Sequence, residues 1–128
     1  MSAAKPVLIV LTEGKSDNGR KATVAFSVGV TARAQGAETT IFLTSEAAVW
    51  GYEGSGAGIA SQGFAPLSEL IQTYLETDGK IMLCSTCWKT CGSGSPLNQQ
   101  QHEVMPGVEI AGLSTVVELA DQSTCLTF

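Results

Sequence analysis

The chain has 128 residues, 44% of them hydrophobic and 15% charged, with a formal net charge of −5 and a sequence pI near 4.7. That length makes residues 1–128 a single domain whose core needs neither disulfide nor structural metal, and the small charged share predicts surface covered in a homo-oligomer. The seven Lys and Arg are scattered along an acidic chain, which excludes the basic stripe that nucleic acid requires.

Residues 6–11, Pro-Val-Leu-Ile-Val-Leu, form an unbroken β-branched and Leu run, the pattern of a strand buried on both faces in a parallel sheet. The run is too short for a signal peptide or a membrane span, so the expected location is cytoplasmic, with no membrane partner. A polar, turn-rich stretch over residues 12–19 follows. Ser16 or Asp17 then caps a helix in which Ala22, Ala25, Phe26, Gly29, Val30 and Arg33 recur at intervals of three and four, ending near Gly36. Residues 38–44 give a second buried strand, and residues 45–50 a short helical turn.

Five glycines between positions 51 and 63 make a loop, read as a mobile lid or an interface loop; no phosphate-cradling motif can be spelled from it. Pro66 opens an amphipathic helix through Leu67, Leu70, Ile71, Tyr74 and Leu75, stopped by Asp78 and Gly79. Residues 80–83 are a third strand, residues 108–110 a fourth, residues 113–120 a helix and residues 125–128 a last strand, with Cys125 expected in the core. This alternation predicts a three-layer α/β/α sandwich, flavodoxin-like in appearance, with a mostly parallel five-stranded sheet.

Cys84, Cys87 and Cys91 crowd the carboxyl end of the third strand, where open parallel sheets collect their ligands and reacting groups. Residues 12–19 and the glycine loop are the expected walls of that site. A thiol attacks as thiolate, and its usual pKa of about 8.5 leaves only a small fraction ionised at neutral pH. Backbone N–H groups at a strand-to-helix junction, with Lys89 one turn onward, lower that barrier for Cys84, which is expected to be both anionic and accessible. Cys87, three residues on, falls on the same side of a first helical turn, placed to attack a persulfide or mixed disulfide on Cys84. Two other readings stay open: small apolar fillers at a tight junction, and a soft-metal site on the C-x2-C-x3-C spacing with His102 as a fourth ligand. Dithiol exchange by the Cys84–Cys87 pair is a further alternative. Asp17 beside Glu13 reads as a cap rather than an acid pair.

The stretches KATVAFSVGVTARAQGAETTIFLTSEAAVW, GFAPLSELIQTYLETDGKIMLCSTCWKTCG and PGVEIAGLSTVVELADQSTCLTF together resemble the DsrE/DsrF-like family of small sulfur-relay proteins. The most specific parts are residues 63–70, the Cys-x-x-Cys-x-x-x-x-Gly stretch beginning at Cys84, and the Leu-Thr-Phe end. The resemblance implies a YchN-like α/β/α fold assembled as a homotrimer or homohexamer. It also implies sulfur carried as a persulfide on Cys84, without a cofactor, in a sulfurtransferase or persulfide-carrier role. Relatives often keep a cysteine where Cys87 stands, whereas Cys91 departs from a common Arg. A sulfur carrier of the TusA-like kind, or a rhodanese, is the partner it implies; a basic partner suits an acidic chain. A non-catalytic place in a sulfurtransferase complex is the alternative within the family.

Overall fold

The computed structural model describes residues 5–91 and 103–128, and for Thr90 and Cys91 the backbone alone. In chain order the elements are β1 (Val7–Leu11), a 3-10 turn (Lys15–Asp17), α1 (Arg20–Ala34), β2 (Thr39–Leu43) and a 3-10 segment (Ser45–Gly51). These are followed by α2 (Leu67–Glu76), β3 (Lys80–Cys84), α3 (Ser85–Cys91), β4 (Val108–Ala111), α4 (Leu113–Gln122) and β5 (Thr124–Thr127). The five strands lie in the order β4-β3-β2-β1-β5, and every pairing is parallel.

The layering follows from that order. Strands β1 to β4 are laid down successively in one direction, so right-handed crossovers place α1 and α2 on the same face. The chain then returns across the sheet to set β5 beside β1, and α4 is carried to the opposite face. Alternate strand residues serve the two sides. Ile9, Leu11, Ile41, Leu43, Ile81 and Leu83 pack with Phe26, Trp50, Ile71 and Tyr74 on the α1/α2 side, whereas Leu8, Phe42, Met82 and Cys84 pack beneath Val116, Leu119 and Ala120 of α4.

The first helix starts later than its cap suggests. The Asp17 carboxylate accepts the N–H groups of Gly19, Arg20 and Lys21 at 3.0, 3.2 and 2.9 Å, while the Ser16 hydroxyl donates to Glu13 at 2.7 Å. Between cap and helix the chain passes through left-handed Asn18 and Gly19, at φ 61° and 78°, so the regular helix begins only at Arg20. Gly19 also lies so close to the loop beyond β2 that a Cβ there would fall 2.8 Å from Ile59 Cγ2.

Cys125 departs from its expected core place: it is exposed, as is all of β5. The cause is position, since β5 is an edge strand with β1 as its sheet partner. The glycine loop is fastened rather than free. Tyr52 bridges Val104, the Glu53 N–H donates to Glu103 O at 2.9 Å, and the Leu67 N–H donates to Ile59 O at 3.0 Å.

Tyr74, fully buried on α2, joins the helix layer to the sheet. Its hydroxyl lies 2.9 Å from Thr39 O and 2.7 Å from Lys80 O, and its ring meets Phe26 edge-on at 5.8 Å. Burial holds the phenol well above the usual tyrosine range, so it stays a neutral donor. A side chain at Gly79 would collide with this ring. Tyr74→Phe keeps the packing but removes the single O–H that two strand carbonyls share. It is expected to cost about 1–2 kcal/mol, read as a lower urea midpoint at unchanged slope.

Candidate functional site

Cys84 is the last residue of β3 and Ser85 the first of α3, so the chain turns from strand into helix with no intervening loop. The amide groups of that first turn have no intrahelical acceptor and point back toward the strand end. Cys84 paired in register with Ala111 faces the α4 side, where its residue is only 2% exposed. The expected accessibility of this sulfur is therefore not met within the chain, because α4 and the first turn of α3 close over it.

The thiol's pKa moves in the expected direction. Burial is the largest influence on the Cys84 thiol and pushes its pKa up. Hydrogen bonds from the Cys87 N–H, the Cys87 thiol, the Thr44 hydroxyl and the Thr86 N–H more than offset it, leaving the thiol below its ordinary value. Lys89 is exposed and is not among these influences, so the positive charge assigned to it in the sequence reading does not reach the sulfur. Backbone and side-chain donors do that work instead.

Cys87 is half-buried and touches both hydrophobic clusters, which places it between the two layers at the sheet's carboxyl edge. Its Sγ accepts the Ser45 N–H at 3.1 Å and lies 3.7 Å from Thr44 Oγ1. Ser45 reaches this position with φ 56°, a left-handed conformation that costs a residue with a side chain roughly 1–2 kcal/mol. The Thr44 hydroxyl thus lies beside both sulfurs.

The sequence reading brought Cys84 and Cys87 together correctly and missed Thr44 and Ser45. Once β2 and β3 are paired, the residue after their last paired position, Leu43↔Leu83, must emerge beside Cys84, but that pairing is a property of the sheet that the sequence does not record. Of the walls expected instead, residues 12–19 are tied to the 3-10 segment by the Trp50 indole N–H, which donates to Glu13 O at 2.9 Å, and Gly19 lies against Ile59 of the glycine loop. The Cys91 side chain and His102, on which the soft-metal reading drew, lie outside the described residues. Among the described residues no cluster of three or more His, Cys, Asp or Glu is positioned to hold a metal ion, and no helix is long and apolar enough to cross a membrane.

Comparison with known proteins bears on the fold first. The crystal structure of the ychN protein from E. coli superposes with a TM-score of 0.73 over 98% of this chain and 100% of its own, at 18% identity. At that identity the likeness speaks for the shared α/β/α architecture alone. No match is found among curated proteins. A family model does match, and it spans residues 5–128, both thiols and the strands that place them included; the chain belongs to the DsrE/DsrF-like family.

Proposed function

We propose that this protein carries sulfane sulfur as a persulfide on Cys84, with Cys87 as a further sulfur-accepting thiol, and passes it to a partner sulfur carrier. The observation that carries this reading is the pair of thiols at one strand end, the inner one held below its ordinary pKa by four hydrogen-bond donors. A thiolate is the nucleophile that takes sulfur from a donor, and a second thiol in contact is what a transfer step needs. Membership of the DsrE/DsrF-like family, with its sulfur-relay members, agrees with it.

The net charge of −5 favours a basic docking partner, of the TusA-like carrier or rhodanese kind. Self-association as a trimer or hexamer suits the outer face of α4, where Leu113 is 60% and Val117 69% exposed, with Ile110 of β4 also in solvent. A reducing cytoplasm suits a chain whose described cysteines are all free. Contact between the Cys84 and Cys87 thiols also favours a second reading, dithiol exchange.

Whole-protein mass after exposure to inorganic polysulfide tests the choice. A carrier gains one sulfur that cyanide removes. A dithiol loses two hydrogens on closing Cys84–Cys87, and that product alone would put exchange in place of carriage.

A further inference from the structure

The two sulfurs differ in reach. Cys84 is 2% exposed beneath α4, whereas Cys87 is half-buried at the edge of the same site and is held from outside by the β2 end. A protein-sized donor or acceptor must bring its own sulfur into bonding contact, and the inner thiol offers it no approach. Resting on the carrier reading above, we infer that sulfur enters and leaves through Cys87, that Cys84 is the protected store, and that Thr44 is the positioning residue for transfer between them.

The chemistry balances without an outside oxidant. A polysulfide or a partner's persulfide gives its terminal sulfur to the Cys87 thiolate, forming one S–S bond and breaking one in the donor, which departs with the electron pair. The Cys84 thiolate then attacks the outer sulfur of the Cys87 persulfide. The new bond is Cys84 S–S, the broken one Cys87 S–S, and the Cys87 thiolate is the leaving group; the proton travels with the transferred sulfur. Release to a partner runs the same steps in reverse.

Negative charge thus alternates between two sulfurs, and the Thr44 hydroxyl lies within reach of both. It turns toward whichever sulfur is anionic. The Ser45 N–H, fixed at 3.1 Å from Cys87 Sγ, favours Cys87 as leaving group. The donors around Cys84 keep its thiolate available as the attacking nucleophile, and a persulfide formed there is shielded from competing thiols by burial.

Peptide-resolved mass spectrometry during a pulse of inorganic polysulfide tests the order of events. In the native protein the added sulfur should appear first on Cys87 and then on Cys84. Cys87→Ser and Cys87→Ala should both slow loading of Cys84 by roughly tenfold or more, the scale of removing a properly placed nucleophile rather than of altered packing. Thr44→Val should make sulfur accumulate on Cys87 and slow its passage inward roughly ten- to a hundred-fold, the rate equivalent of one hydrogen bond to an ionised group. Thr44→Ser should restore the rate, which a merely steric role for the residue would not produce. Loading of Cys84 at the native rate in either Cys87 variant overturns the entry route while leaving the carrier reading intact. No sulfur on either thiol of the native protein removes both.

Discussion

Cys84→Ser should leave the fold intact and abolish retention of sulfane sulfur. Serine fits the volume, and its hydroxyl can accept the donors that now serve the sulfur, from the Thr86 and Cys87 amides and the Thr44 hydroxyl. Imperfect pairing of that buried hydroxyl costs about 1–3 kcal/mol, within a typical total stability of about 5–15 kcal/mol. The hydroxyl neither ionises near neutrality nor forms a persulfide, so the effect on carriage is complete rather than graded. Exposure to polysulfide, removal of excess by gel filtration and a whole-protein mass should give one cyanide-labile sulfur on the native chain and none on the variant. With a small thiol in the filtration buffer, sulfur left on Cys87 should be transferred to it and lost, since that residue is half-buried and open to such an acceptor. Equal retained sulfur in the two proteins would take Cys84 out of the mechanism.

The largest expected loss of stability belongs to Trp50→Ala. Trp50 is fully buried, its indole N–H bonds the Glu13 carbonyl at 2.9 Å, and the Lys15 ammonium stands 5.9 Å from the ring centroid. One side chain thereby joins the segment after β1 to the segment after β2, the same 3-10 segment whose first residue, Ser45, holds Cys87. Truncating a buried Trp costs about 3–5 kcal/mol through lost transfer energy and the cavity left behind. For a chain of this size that corresponds to a drop in Tm of about 10–20 °C. Trp50→Phe should recover most of the loss and keep a deficit of about 1–2 kcal/mol from the Glu13 carbonyl left without its donor. Differential scanning calorimetry reads both; a Tm within a few degrees of native for Trp50→Ala would mean that the two segments are held by other contacts.

The fold was legible because its parallel strands are buried on both sides and so carry unmixed apolar runs. Residues 6–11, 38–44 and 80–83 stand out for that reason, and β2 is buried at all five positions. The edge strands were readable as strands but not as edges, because strand order is a property of the whole sheet. Cys125 was accordingly misplaced in the core: nothing in Thr-Cys-Leu-Thr records that only β1 stands beside it. At the site, the thiols announced themselves by type and spacing. Their electrostatics did not. Lys89 was the first charge after Cys84 in sequence, yet the sulfur is served by amides of the following helix turn and by Thr44, forty residues earlier in the chain. Burial of Cys84 depends on α4, which crosses to that face only because the chain returns to set β5 next to β1.

The charge state of Cys84 carries the account, and its titration tests it most directly. In a protein with Cys91→Ser and Cys125→Ser, thiolate ultraviolet absorbance followed against pH should show one thiol ionising below the ordinary thiol value. That phase should vanish in Cys84→Ser and shift upward in Thr44→Val. Because the native pKa is lowered, the stability contributed by the ionised sulfur should be fully present above the ordinary thiol value and be lost as pH falls through the native one. A titration in which both remaining thiols ionise at or above the ordinary value, unchanged by Thr44→Val, would contradict it.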